Sequence, residues 1–381
     1  MNQIKFDSKI EVRKEVYPQL DFAKPRHHFR EQIRVLQRHP EIFSRFTDLR
    51  KRVFPIFPSQ YDITNICNLN CVGCLYFDGD DVFDGQPELD AERLDRFFET
   101  EASRGVNFAH ISGAEPSLNP AAMRAASRHI PRGVIYTNGH RKIDADIDFR
   151  LHISIWALGD REALLRGQGV LARALENYAD DPRAVFVLTL SKESVKDLDE
   201  VAEICFLHGV TLTLNQYSPT VRSETPNPHL RKSQKSGGAD NLDLVLEGDA
   251  LSEAFDKVFD LQARYPETIR FSRAYAAQMA KPGGLFQVDP STGISSNCAS
   301  RLNDKMRHYL PDLQAHRGNK CCTSHIDCAS CGLYAMAYAT MINELGNVPA
   351  ELPELEAWIE VAELWEALFC LPTSGVALER R

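Results

Sequence analysis

Nowhere in the 381 residues is there a run approaching the ~18 uninterrupted apolar residues of a membrane-spanning helix, so no membrane partner is expected. The first residues, MNQIKFDSKIEVRKEV, have no apolar run behind their charges, so a secretory signal is not expected and the default location is cytoplasmic. The chain also lacks positive charge. Its 44 Lys and Arg against 53 Asp and Glu give a net charge of -9, which argues against nucleic acid as a partner. Repeats and long low-complexity tracts are absent as well, which excludes a solenoid. The charge is uneven: residues 1–55 carry a local +6 and leave -15 for the rest. Such a stretch is either a solvated basic helical extension or a docking surface for an acidic or peptide partner.

Ten cysteines are present, and a reducing compartment argues against a disulfide framework. They are grouped: Cys67, Cys71 and Cys74 lie together, and Cys298, Cys321, Cys322, Cys328 and Cys331 form a second set. Gaps of two and three residues suit metal or iron–sulfur ligation. Cys205 and Cys370 sit alone in apolar runs and are expected to pack in the core.

Between residues 60 and 217, short apolar or β-branched runs alternate with helical patterns. The expected strands are 60–66, 107–112, 133–137, 150–156, 184–190 and 210–216, with helices over 91–102, 121–129, 161–178 and 195–208. Leu94, Phe97 and Phe98 have the spacing of one buried helix face. Six strands alternating with helices, the segment between the third and fourth being short enough for one turn, predict an α/β fold with parallel pairing and right-handed crossovers. No G-x-G-x-x-G turn follows the first strand, which disfavours a dinucleotide-binding sheet. A partial (β/α)6 barrel is therefore expected, its chemistry at the strand ends. The polar stretch 218–245 ends the alternation, and further helices are expected over 251–263, 331–345 and 354–371. The organisation is thus a basic extension (1–55), a barrel (56–217) and a C-terminal extension (218–381).

The first expected strand runs into DITNICNLNCVGCLYF, which places Cys67-x3-Cys71-x2-Cys74 on one loop. A four-iron cluster wants one thiolate per iron, so three close cysteines leave the fourth iron open to a further ligand. The rival is a structural zinc site, which needs a fourth Cys or His, and none lies within the loop. A C-x3-C-x2-C loop at the end of the first strand of such a barrel resembles the radical S-adenosylmethionine superfamily. The resemblance implies a [4Fe-4S] cluster whose open iron is chelated by S-adenosylmethionine. It also implies reductive cleavage of that cofactor to a 5′-deoxyadenosyl radical that abstracts hydrogen from substrate. One departure lies before the third cysteine, where an aromatic residue is usual and Gly73 stands; Leu75, Tyr76 and Phe77 are the candidates to cover the adenine.

The resemblance continues along 60–217. Gly113, Ala114 and Glu115 resemble the G-G-E-P element that in the family meets the cofactor's amino group, with Ala114 in place of a glycine, and the Glu115 carboxylate and backbone carbonyls are acceptors for it. Asn138 lies in a T-N-G turn after the third strand. Ser154 holds the place of a serine that contacts the methionine portion, with Trp156 where an aspartate is frequent. Arg166, in an R-G element, has a guanidinium able to fork onto the cofactor carboxylate. Asn215 and Gln216, on the sixth strand, are candidates for the ribose or the substrate.

The run GNKCCTSHIDCASCGLY resembles the SPASM and twitch auxiliary-cluster extensions, and the cysteine count fits one further cluster. Cys298, Cys322, Cys328 and Cys331 are its expected ligands, with Cys321 competing with Cys322 and a zinc site including His325 as the rival. A closed second [4Fe-4S] cluster suits net oxidation. The expected function is thus hydrogen abstraction from a small polar metabolite, with a reductant such as flavodoxin or ferredoxin as partner. The alternatives are modification of a peptide or protein residue and, from another class, a non-catalytic metal-binding scaffold.

Overall fold

The computed structural model describes residues 29–72, 74–77, 89–219, 243–281, 283–302, 306–316, 326 and 328–371. In chain order come helices α1 (Phe29–Gln37) and α2 (Pro40–Arg52), strand β1 (Pro58–Asp62), helix α3 (Ala91–Ser103), strand β2 (Phe108–Ser112), helix α4 (Pro120–His129), and strands β3 (Gly133–Thr137) and β4 (Arg150–Ile155). Helices α5 (Gly159–Leu165) and α6 (Val170–Tyr178) lead to β5 (Ala184–Leu190), then α7 (Leu198–Leu207) to β6 (Leu212–Gln216). After these follow α8 (Gly248–Arg264), α9 (Arg273–Ala280), the hairpin β7 (Val288–Asp289) and β8 (Ile294–Ser295), α10 (Ala299–Leu302), β9 (His308–Tyr309), α11 (Tyr334–Asn343) and α12 (Leu352–Phe369).

Seven of the described strands form one sheet in the order β6-β5-β4-β3-β2-β1-β9, every neighbouring pair parallel, while β7 and β8 pair antiparallel as a separate hairpin. The expected parallel α/β class, with six consecutive strands, is borne out. Odd-numbered β1 and β2 residues such as Tyr61 and Ile111 are buried on the helix side, where Tyr61 meets Phe97 and Phe98 of α3. Even-numbered positions face the other way, where Phe108 and His110 meet Trp365 and Phe369 of α12. Both faces of the sheet are therefore covered, as parallel strands require.

Two of the differences from the sequence expectation bear on the site. The helix expected over 161–178 divides, because Gly167 and Gly169 take positive φ (108° and 74°) and the Glu162 carboxylate accepts the N–H groups of Gly169 (2.9 Å) and Leu171 (2.6 Å), capping α6. The break leaves Arg166 at the tip of α5. The seventh strand, β9, has no sequence signal at two residues long. On the outer face the Glu101 carboxylate accepts both the Tyr61 and Tyr309 hydroxyls at 2.7 Å, pinning β9 beside β1.

The residues after 243 do not stand apart from the sheet. They supply β9 at one edge, and at the other the 268–270 segment bonds to Leu212 and covers β6. α12 carries Glu363 and Glu366, which pair with Arg45 (2.7 Å) and Arg52 (2.8 Å) of α2. Part of the basic N-terminal charge is thus matched within the chain, a third outcome beside the two weighed from sequence. Residues 1–28 lie outside the described residues. No described helix is long and apolar enough to cross a membrane.

Candidate active site

A cavity of ≈ 340 Å³ opens at the carboxyl ends of the strands, within the range of small-molecule sites. Its walls follow a period of two: Gln60 and Asp62 from β1, His110 and Ser112 from β2, Tyr136 and Asn138 at β3, His152 and Ser154 from β4, Val187 and Thr189 from β5. Such alternation puts every second side chain of a strand on one face.

β1 stops at Asp62 rather than at residue 66, because Ile63–Ile66 turn to bond the tip of β2. The Thr64 carbonyl accepts the Ala114 N–H at 2.9 Å, and the Ile66 carbonyl accepts that of Glu115 at 3.1 Å. Gly113 sits at φ 117° in this contact, where a Cβ would lie 2.5 Å from the Thr64 carbonyl oxygen. The cysteine loop begins from this anchored turn. Cys67, Cys71 and Cys74 all line the cavity, as do Leu75, Tyr76 and Phe77.

Nitrogen donors surround the sulfurs. Leu69 N–H lies 3.4 Å from Cys67 Sγ, Asn138 Nδ2 is 3.8 Å from the same atom, and Arg166 Nε is 3.4 Å from Cys71 Sγ. Asn138 Nδ2 also donates to Asn68 Oδ1 (2.8 Å), and Val72 N–H bonds the Leu165 carbonyl (2.8 Å), fastening the loop to β3 and α5. Burial, then the neighbouring Cys71 sulfur, pushes the Cys74 thiol up to about 12. Such a thiol ligates only when a bound cation displaces its proton. No three Cys, His, Asp or Glu side chains among the described residues converge as ligands of one metal ion. Three thiols on one loop with donors on their sulfurs fit a larger, anionic sulfur-rich group, because N–H bonds stabilise thiolate charge.

The other residues singled out from sequence divide by surroundings. Glu115 is buried, and its carboxylate already accepts Ser117 N–H (3.0 Å), the Thr137 hydroxyl (2.6 Å) and Asn138 N–H (2.8 Å), tying β2 to β3. As an acceptor for a ligand's amino group it is therefore already engaged, which leaves the backbone carbonyls as the other acceptors of that element. Arg166 is no surface arginine: it is buried, bonds the Ser154 carbonyl and hydroxyl, and lies 5.8 Å from the centre of the Trp156 ring. Asn215 lines the cavity while its Oδ1 accepts Tyr334 N–H (3.1 Å) at the start of α11; Gln216 points away, toward the Leu246 carbonyl (3.5 Å).

Cys298 and Cys328 are buried and Cys331 half-buried; Cys298 Sγ lies 3.0 Å from Ser300 Oγ. Gly73, Cys321, Cys322 and His325 lie outside the described residues. Cys205 is fully buried in the core as expected, and Cys370 packs against it.

Sequence inspection passed over the polar cavity floor. His110 Nδ1 meets the Tyr136 hydroxyl at 2.8 Å, and His152 lies between the Tyr334 hydroxyl and the Leu368 carbonyl (2.8 Å). Asp62 bonds the Ser112 hydroxyl (2.6 Å) and His308 Nε2 (2.7 Å). A signal did exist: polar residues at every second position of strongly apolar strands, as in FAHIS and RLHISI.

Burial pushes His110 down to about 4 and His152 to about 3, from an ordinary 6.5. Because the folded values lie below the unfolded one, the stability both contribute is complete above pH ~6.5 and lost as pH falls toward 4 and 3. Each histidine is expected to cost about 1.4 kcal/mol per pH unit in that window. Urea denaturation midpoints measured from pH 7 to 4.5 check this: they should fall steadily, less so in His152→Gln, whereas pH-independent midpoints would contradict it.

No protein-family model matches the sequence, and no curated protein matches it. Among solved structures the chain is similar to Streptococcus suis SuiB bound to S-adenosylmethionine, at 13% identity over 75% of this chain and 67% of that one, with a TM-score of 0.47. SuiB bound to precursor peptide SuiA gives 14% identity over 71% and 62%, TM-score 0.47. Native anSMEcpe with bound AdoMet gives 13% over 74% and 81%, TM-score 0.47. At scores below 0.5, none of these likenesses decides what the chain does.

Proposed function

We propose that this chain is a radical S-adenosylmethionine enzyme, in which Cys67, Cys71 and Cys74 hold a [4Fe-4S] cluster with one iron left open for the cofactor. One observation carries this: the three cysteines line a cavity shared with the ends of β1 to β4, and chain N–H groups are directed at their sulfurs. When bound, the pair supplies one-electron reductive cleavage of the cofactor and a carbon radical that takes a hydrogen atom from substrate.

The chain's residues have separate tasks. Gly113 lets the β2 tip approach Thr64, so that the backbone of Gly113 and Ala114 borders the cofactor space. Glu115 holds β2 against Asn138, and Asn138 steadies the loop through Asn68. Arg166 places positive charge beside Cys71 and Ser154, where thiolate and cofactor carboxylate charge gather. Leu75, Tyr76 and Phe77 take the place of the missing aromatic at Gly73. A second cluster on Cys298, Cys322, Cys328 and Cys331 is proposed as the electron acceptor for net oxidation, with flavodoxin or ferredoxin as the external reductant.

The substrate is proposed to be a small polar molecule, in keeping with the cavity's size and with the polar side chains, such as Asp62, Ser112 and Tyr334, set into its largely apolar wall. A peptide substrate, suggested by the basic residues 1–55, has less support because Arg45 and Arg52 already face Glu363 and Glu366. Electron paramagnetic resonance of the anaerobically reconstituted, dithionite-reduced protein tests the proposal. The cluster signal should change on adding S-adenosylmethionine; a signal indifferent to it would count against an open iron.

A further inference from the structure

Resting on the function proposed above, we infer that the deep part of the cavity receives a substrate through its hydrogen-bond donors, hydroxyl or ammonium groups, and refuses phosphate and carboxylate groups.

The proof lies in where the hydrogens must be. The Leu368 carbonyl has only lone pairs, so His152 Nε2, 2.8 Å away, carries a proton. The buried ring is neutral, held far below its ordinary range, so its Nδ1 has only a lone pair. The Tyr334 hydroxyl, bonded to that Nδ1, has to be the donor. Its single proton is spent there, and what Tyr334 offers the cavity is lone pairs.

The β1 edge has the same bias. The Asp62 carboxylate accepts the only proton of the Ser112 hydroxyl (2.6 Å) and Gln60 Nε2 donates to the same oxygen (3.3 Å), so Ser112 has one lone pair left with which to accept from a ligand. Asp62 also accepts His308 Nε2–H (2.7 Å), which fixes that proton too. If His308 takes a second proton, the pair becomes neutral; it never becomes a net cation. β9 is held in register for this by the Tyr309–Glu101 bond on the opposite face (2.7 Å).

Charge points the same way. Among the described lining residues the guanidinium of Arg166 is the one permanent cation, and it is committed to Ser154 and Cys71 at the cysteine end. Beside Asp62 the Gln60 amide, which donates to the Ser112 hydroxyl (3.3 Å), is neutral, as are Thr189 and Asn215 from β5 and β6 across the sheet. Among the described residues, an anion placed there meets the Asp62 carboxylate, whose charge a protonated His308 would only neutralise. A hydroxyl or ammonium group instead finds acceptors on Asp62, Ser112 and Tyr334, and the ammonium also finds opposite charge.

Four probes sharing a six-carbon sugar skeleton separate these cases: glucosamine, glucose, glucose 6-phosphate and gluconate. Dissociation constants are measured by ligand-observed NMR on the full-length reconstituted protein with S-adenosylmethionine, without reductant. Glucosamine and glucose are expected to bind more tightly than both anions. Asp62→Asn should weaken glucosamine roughly tenfold or more and glucose less, because the bond lost to glucosamine is charge-assisted. Tyr334→Phe should weaken both neutral and cationic probes. If an anionic probe binds as tightly as glucose, or no donor-bearing probe depends on Asp62, the inference is overturned. Should Asp62→Asn not fold, the wild-type ranking and Tyr334→Phe decide instead. Since the readout needs no turnover, failure to cleave S-adenosylmethionine removes the proposed function without altering the probe ranking.

Discussion

Replacing Cys67, Cys71 and Cys74 together by alanine is expected to remove about four irons per chain and reduce 5′-deoxyadenosine formation to background. The size of the effect follows from ligand count: a cluster held by three thiolates on one loop loses all three at once, which leaves nothing to reduce the cofactor. Single replacements should act similarly on turnover while leaving part of the iron, since two thiolates still tether some cluster. The variant also separates the two proposed clusters. Iron that survives the triple replacement belongs to the C-terminal cysteines, and it should vanish when Cys328→Ala and Cys331→Ala are added. If the triple variant retains full iron and full activity, the cysteine loop is not the redox centre.

Gly113→Ala is the second large effect, and it arises in the backbone. At φ 117° a side chain is strained wherever it points, and here the new Cβ meets the Thr64 carbonyl oxygen at 2.5 Å, a main-chain atom that cannot swing away. Backbone strain of one to three kcal/mol plus the clash should destabilise the fold by about 3 kcal/mol or more. The tips of β1 and β2 would separate, moving the turn from which the cysteine loop starts. Thermal unfolding and iron retention should therefore fall together. Gly167→Ala is the contrast: its φ is also positive (108°), but nothing lies within 4 Å of its Cβ position, so only the strain remains. Equal losses in the two variants would contradict the close approach described here.

These contrasts show why some features are legible in sequence and others are not. The six strands can be read because each is a short apolar run and all but the third and fourth are separated by helical patterns, and the observed limits of β3 and β5 match the expected ones. The cysteine loop is legible because three cysteines so close in sequence stand out before any fold is known. Glu162 capping α6 is harder to foresee, because a long amphipathic stretch reads as one helix until the two glycines are placed. β9 is invisible: two residues, His308 and Tyr309, have no periodicity, and their pairing depends on Glu101 some 200 residues away in the chain. The carboxylate of Glu115 illustrates a different limit. Its motif marks the right place, yet only the three bonds it accepts show that it braces the strands. The floor of the cavity lies between these cases, since His110, Tyr136 and His152 follow the strand period, but their partners on α11 and α12 come from the far end of the chain.

The most direct test is to incubate the anaerobically reconstituted protein with S-adenosylmethionine and dithionite and quantify the products. Formation of 5′-deoxyadenosine and methionine in equal amounts, absent in the Cys67→Ala/Cys71→Ala/Cys74→Ala variant, is the predicted result. A protein that holds about four irons on the loop yet releases no 5′-deoxyadenosine under reduction would contradict it.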